Sequence, residues 1–233
     1  MDLKELRSDL FTENERITKM GKIICLLLGY TFGLFQTGYI YGKMNGIDIR
    51  QHGSGNAGTT NALRTMGAKA GIITLVGDAL KCILAVALVR MIFAERQADM
   101  LPLLGLYAGF GAVLGHNYPF YLKFKGGKGI AATFGLILAT DFNMAVVCAL
   151  VFFIILGITR YVSVGSLVLS VTFFVQLVVL GQMGHFGMTQ NLLLEMYGIG
   201  LLFVISAFFQ HRANIERLKN GTENKFSIKK KEK

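Results

Sequence analysis

Residues 130–159 read IAATFGLILATDFNMAVVCALVFFIILGIT, and the number of membrane crossings in this chain turns on how that run divides. It is apolar from Ile130 to Thr140 and again from Phe142 to Thr159, with Asp141 and Asn143 as the interruption. One continuous helix would bury the Asp141 carboxylate near its middle without an evident partner, a costly placement in lipid. Two short or tilted helices joined by a polar turn avoid that cost, and this division is the one expected.

Toward the amino terminus lie three further apolar runs: Ile23–Gly42, about Ala70–Val89 and Met100–Leu122. Toward the carboxy terminus, the polar link RYVSVGS (Arg160–Ser166) precedes a long uncharged stretch. That stretch breaks at GQMGHFGMTQN (Gly181–Asn191), which separates a sixth span from a seventh ending near Gln210. The predicted architecture is an all-α integral membrane protein of seven transmembrane helices, some short or tilted. It forms one domain over 22–223, with a polar amino-terminal extension at 1–21 and a basic tail at 224–233. Composition agrees: of 233 residues 53% are hydrophobic and only 16% charged, with a mean hydropathy of +0.51, which excludes a soluble globule.

In the extension, Leu3, Leu6 and Leu10 make a short helical stripe suited to a membrane surface. A cleavable signal is not expected, because the apolar run after Lys22 is too long and lacks a small-residue cleavage site. The 28 glycines and two prolines suit helices packed closely in lipid, and Gly105 and Gly109 have the GxxxG spacing of a packing face. Asp78 and Lys81, three apart inside the second span, are expected to pair as a buried structural couple. Cys25, Cys82 and Cys148 all fall in apolar segments and are odd in number, so inert buried thiols are expected rather than disulfides. The four histidines are scattered and no CxxC or HExxH occurs, so no metal site is expected.

Parity then orients the chain. The polar block Lys43–Gly67, the glycine loop after the third span, RYVSVGS and the tail all follow odd-numbered spans and so share one face. That face carries sixteen lysines and arginines against seven on the other. The positive-inside rule places it in the cytoplasm, with the amino terminus outside and the carboxy terminus inside.

The glycine loop lies in GHNYPFYLKFKGGKGIAATFG (Gly115–Gly135). Its glycines let backbone N–H groups converge, while Lys123, Lys125 and Lys128 add positive charge. A helix starting near Gly129 would aim the positive end of its dipole at the same spot. An anion site, most naturally for phosphate, is one reading; a flexible membrane loop with positive-inside lysines is the other. In the first block, GSGNAGTTNALR offers Ser54, Asn56, Thr59, Thr60 and Asn61, with Arg64 following. Together these form a set for phosphate and hydroxyl groups in which Arg64 can make bidentate contact. His211 and Asn214, three apart, share a helical face and could orient a hydroxyl or accept its proton. The plainer alternative makes Arg64 and Arg212 interfacial anchors and His211 a solvated residue. KFKGGKG lacks the spacing and the Ser/Thr of a P-loop. No histidine is followed five residues on by aspartate, which argues against soluble-type glycerolipid acyltransferases. The aspartate cluster of metal-dependent phosphatidyltransferases is absent too.

The blocks GSGNAGTTNALRTMG, GHNYPFYLKFKGGKGIAATFG and HRANIERLKNGTE, in this order and between these spans, resemble the bacterial membrane acyl-phosphate:glycerol-3-phosphate acyltransferases (PlsY type). The resemblance runs from Lys22 to Glu223. It implies a seven-helix enzyme of the bacterial cytoplasmic membrane with its active site on the cytoplasmic face. Such an enzyme moves a fatty acyl group from acyl phosphate to the 1-hydroxyl of sn-glycerol 3-phosphate, giving lysophosphatidate and inorganic phosphate as the first step of phospholipid biosynthesis. By the same resemblance Ser54, Arg64 and Lys128 hold the glycerol phosphate, with Asn56 and Asn61 in the same block. His211 and Asn214 position the hydroxyl, the backbone of Gly126, Gly127 and Gly129 holds the donor phosphate, and Ser163 joins the site from RYVSVGS. The implied partners are these two substrates and membrane lipid, with no metal, cofactor or nucleic acid. The chief rival is a transporter of a phosphorylated solute, which would place polar groups near the midplane within inverted repeats; no repeat is visible here.

Overall fold

The protein is described by a computed structural model over residues 3–226, with side chains from Arg16 onward. The side chains of Leu3, Leu6 and Leu10 and the lysine-rich end of the tail therefore lie outside the described residues. Those residues fold into helices without strands: α1 (Leu3–Gly33), α2 (Thr37–Met44), α3 (Thr59–Met66), α4 (Ala68–Phe93), α5 (Leu101–Asn117), α6 (Ile130–Thr140), α7 (Phe142–Thr159), α8 (Val162–Gln182), α9 (Gln190–Gln210) and α10 (Arg212–Lys219). Six segments among them are long and apolar enough to cross a membrane; α6, at 11 residues, is shorter. Their outward faces carry large exposed apolar side chains such as Phe153, Ile158, Val175, Leu194 and Ile205, as lipid contact requires.

The chain breaks at Asp141 for a reason that can be read locally. Asp141 is extended (φ −157°, ψ 129°), and its carboxylate accepts the Met144 N–H at 2.8 Å, capping α7. His185, in the loop between α8 and α9, lies 3.0 Å from the other carboxylate oxygen. The bonds from Met144 and His185 hold the Asp141 carboxyl below the usual carboxylate range, against the opposing effect of burial. Asp141 thus sits at a polar helix turn with partners, not inside a long helix.

The first apolar run differs from the expected uninterrupted Ile23–Gly42: α1 ends at Gly33 and α2 begins at Thr37. No proline enforces this break. Carbonyls freed by the break are captured instead, Gly33 O and Phe35 O by Lys81 Nζ, and Gly33 O also by the buried Gln36 amide. Gly105 and Gly109 lie on packing faces, as expected, although the closest backbone approach is elsewhere. Both face side chains, Val86 and Leu136, whereas backbone meets backbone between α1 and α5. A Cβ at Gly29 would come 1.9 Å from Ala108 O, and one at Gly111 would come 2.1 Å from Leu26 O. Asp78 and Lys81 do pair, at 3.0 Å and almost fully buried. A second polar clasp ties three helices, with Glu195 on α9 accepting from Lys22 at 2.6 Å and from Tyr107 at 2.7 Å.

Candidate active site

The loop before α3 is organised by one amide. Asn61 Nδ2 faces the carbonyls of Ile49, His52 and Asn56 at 2.8–3.1 Å, and its Oδ1 accepts the Ser54 N–H at 2.9 Å. Gly53 allows this: its φ is +60°, and a Cβ there would lie 2.2 Å from Asn61 Oδ1. Asn56 Oδ1 accepts the Gly58 N–H at 2.9 Å, and its Nδ2 reaches Gly126 O at 3.5 Å, linking this loop to the glycine loop. Arg64 leaves α3 exposed, with its guanidinium 3.4 Å from Asn224 O. Thr59 Oγ1, at the start of α3, is buried and has no hydrogen-bond partner among the described residues.

In the glycine loop the N–H groups of Gly126 and Gly127 are already engaged, by Asn117 O at 3.1 Å and His116 O at 3.0 Å. Gly127 packs on the His116 ring so closely that a Cβ would come 1.9 Å from Nε2. Gly129, at φ +80°, turns the chain into α6, whose first N–H groups have no intrahelical acceptor.

The tail closes the site. The carboxylate of Glu223 collects Asn214 Nδ2 at 2.7 Å and Ser163 Oγ at 3.0 Å on one oxygen, and Arg217 Nε at 2.7 Å on the other. Asn214 Oδ1 in turn accepts from Lys128 Nζ. The Phe226 N–H reaches back to Arg160 O at 2.6 Å. Burial lowers the Lys128 ammonium to about 8, with Glu223 opposing and Arg217 and Arg64 adding to the shift. Partial desolvation at the cavity wall also lowers the otherwise exposed Arg64 guanidinium, with Arg217 adding to the shift and Glu223 opposing it. Burial works against ionised Glu223, but the bonds from Asn214, Arg217 and Ser163 outweigh it and hold the carboxyl below its ordinary value. His211 is buried, and its Nδ1 lies 2.8 Å from Ala207 O. A carbonyl only accepts, so Nδ1 carries the proton and Nε2 keeps a lone pair. Burial and the neighbouring Lys128 lower its pKa to about 4, so the ring is neutral at pH 7.

These segments line one cavity of about 830 Å³. Its polar part is walled by Ser54, Asn56, Asn61, Arg64, Lys128, Gly129, Ser163, His211 and Asn214. Thr59 lines it too, as do Arg217 and Glu223, which belong to the block HRANIERLKNGTE although its pattern assigns them no role. Its apolar part runs between α4, α6 and α7, past Leu80, Ile83, Phe134, Leu138, Phe152 and Phe153. Gly126 and Gly127 do not line it; their engaged N–H groups make them supports of the loop. Asn61 is on the wall, but its amide is saturated by the backbone, so it shapes the loop. Glu223 could have been noticed as a carboxylate close to a run of bases that includes Arg212, Arg217 and Lys219.

An all-helical membrane protein with a cation-lined pocket at one end and an apolar groove leading from it is the class defined here. Residues 23–221 match the family described as Glycerol-3-phosphate acyltransferase, and the chain belongs to that family. It is 39% identical over 214 residues to a glycerol-3-phosphate acyltransferase of Clostridioides difficile (strain 630), covering 89% of this chain and 97% of that one. It is 40% identical over 203 residues to that of Bacillus subtilis (strain 168), covering 87% and 96%. Among solved structures it is similar to PlsY (YgiH), an integral membrane glycerol 3-phosphate acyltransferase. The glycerol 3-phosphate form has a TM-score of 0.73 at 32% identity, covering 88% of this chain and 96% of that one. The lysophosphatidic acid form gives 0.74 at 28%, covering 89% and 96%.

Proposed function

We propose that this protein transfers a fatty acyl group from acyl phosphate to the 1-hydroxyl of sn-glycerol 3-phosphate, releasing lysophosphatidate and inorganic phosphate. The observation that carries this is the joining, in one cavity, of a polar pocket bearing Arg64, Lys128 and His211 to an apolar groove between helices. Such a cavity suits one small anion and one anion with a long apolar tail. The solved relatives with glycerol 3-phosphate and with lysophosphatidic acid support both ends of that reading.

Arg64 and Lys128, with Ser54 and Thr59, hold phosphate oxygens through charge-assisted bonds. The open N–H groups at the start of α6 and the Lys128 charge face the donor phosphate and the charge that develops as it leaves. His211 Nε2 accepts a hydrogen bond from the attacking hydroxyl and aims it at the carbonyl carbon. A ring with a pKa near 4 is a weak proton sink, so the hydroxyl proton departs on the released phosphate. The C–O bond of the ester forms as the acyl–oxygen bond of the mixed anhydride breaks. Phosphate is a good leaving group, so the reaction needs no metal or nucleotide.

The chain would cross a bacterial cytoplasmic membrane seven times, α6 counting as a short crossing. The amino terminus would lie outside and the site and tail in the cytoplasm. The excess of lysine and arginine on the site face supports this, as does the convergence of four polar segments on one cavity. The domain would span 22–223, flanked by the polar extension at 1–21 and the basic tail at 224–233.

Phosphate release by purified protein given acyl phosphate and glycerol 3-phosphate, with lysophosphatidate identified by mass, tests the assignment. The coenzyme A thioester of the same fatty acid, at equal concentration, is expected to be a poor donor. Efficient thioester use would overturn the choice of donor. Flux of glycerol 3-phosphate into liposomes without product would favour a transporter.

A further inference from the structure

Two ionisable residues on the cavity wall, Asp78 and His116, have no part in the chemistry above. Both belong to a buried cluster formed by α4, the α1–α2 break and the end of α5. Lys81 Nζ is its hub, 2.6 Å from Phe35 O, 2.8 Å from His116 Nδ1 and 3.0 Å from Asp78 Oδ1. Asp78 also accepts from Thr37 Oγ1 at 3.1 Å. Burying an ion pair this far is expensive where apolar side chains would join the helices as well.

The cluster fixes the His116 tautomer. An ammonium only donates, so Nδ1 presents its lone pair to Lys81 and the ring proton sits on Nε2. Asp78 Oδ1, at 3.6 Å from Nδ1, is too far to compete as an acceptor. Nε2 lies against Gly127, immediately before Lys128 and Gly129. Among the described residues the hydrogen bond made by the His116 side chain is the one at Nδ1, which leaves the Nε2–H without a protein acceptor. His211 is fixed the opposite way, with its proton on Nδ1 and its lone pair on Nε2. The cavity thus has one imidazole set to accept and one set to donate.

We propose that His116 is a further substrate-binding residue, donating from Nε2 to the phosphoryl group of the acyl donor beside Lys128 and the α6 start. Lys81 and Asp78 are positioning residues that hold it as the donor tautomer. The inference rests on the acyltransferase reading and extends it by assigning a ligand for this group.

His116→Phe keeps the ring and removes the donor, whereas His116→Gln restores an N–H at similar reach. His116→Phe is expected to raise the KM for acyl phosphate about tenfold or more while the KM for glycerol 3-phosphate stays put. His116→Gln recovers most of that loss, and Lys81→Met raises the same KM by freeing the tautomer. A wild-type KM for acyl phosphate in His116→Phe overturns the proposal. So does an equal rise of both KM values that His116→Gln does not relieve, which marks a packing role only. If the variants do not fold, histidine-15N spectra of wild-type protein decide. His116 must read as protonated at Nε2 and unprotonated at Nδ1, and must shift on adding inorganic phosphate. A protonated Nδ1 or an unmoved signal overturns the proposal. A wild-type protein that makes no lysophosphatidate from acyl phosphate defeats the acyltransferase reading instead, so the two failures are distinguishable.

Discussion

Arg64→Lys separates a substrate clamp from an interfacial anchor. In the folded protein the guanidinium makes a long hydrogen bond to Asn224 O at 3.4 Å and is exposed on α3. Losing so weak a contact on an exposed face costs folding no more than about 0.5 kcal/mol. Against a phosphate the substitution matters far more, since an ammonium keeps the charge but cannot reproduce the planar two-pronged contact. A lost charge-assisted bond is worth about 1.5–3 kcal/mol, which lowers kcat/KM for glycerol 3-phosphate roughly ten- to 150-fold. The measurement is phosphate release with glycerol 3-phosphate varied at saturating acyl phosphate, beside the melting temperature of the same preparation in detergent. An unchanged kcat/KM refutes the clamp. A melting temperature that collapses with activity assigns Arg64 to structure.

Lys128, lowered to about 8 by burial, must be charged to hold phosphate, so kcat/KM should fall as pH rises through about 8. In Lys128→Arg the guanidinium keeps its proton, so whatever activity remains should lose that alkaline limb; an unmoved limb rejects Lys128 as its source. Gly127→Val should abolish turnover by driving a side chain into the His116 ring, while the protein still inserts and elutes as a single species. Wild-type turnover would show that the loop can yield there. Glu223→Gln should loosen the tail from Ser163, Asn214 and Arg217 and lower the melting temperature. Since the native Glu223 pKa lies below its ordinary value, its stabilisation is present above the unfolded pKa and is lost as pH falls through the folded one. The variant should therefore flatten that acid dependence, and an identical acid profile would count against the clasp. Single cysteines near Glu95 and at Asn224 should label from opposite sides of intact cells; labelling from one side would overturn the proposed orientation.

The sequence by itself determined the apolar helices, the turn at Asp141 and the grouping of the polar loops, because burial cost and chain order govern all three. Long uncharged runs mark apolar helices because lipid cannot satisfy backbone polar groups. An acid without a nearby basic partner in such a run marks a turn, as at Asp141, whereas Asp78 stays inside α4 paired with Lys81. Parity leads to the expectation that the block around Ser54 and Arg64, the glycine loop, Ser163 and His211–Asn214 share a face, and the structure lines a single cavity with residues of all four. Only the tertiary structure decided which atoms of those segments remain free. Gly126 and Gly127 look open in sequence, but their N–H groups are taken by Asn117 and His116, and the Asn61 amide is consumed by its own loop. The break after Gly33 depends on Lys81, 48 residues away in sequence, and Glu223 meets Ser163 across 60. Hydrogen-bond satisfaction in a packed interior is set by groups distant along the chain, and local pattern carries no record of them.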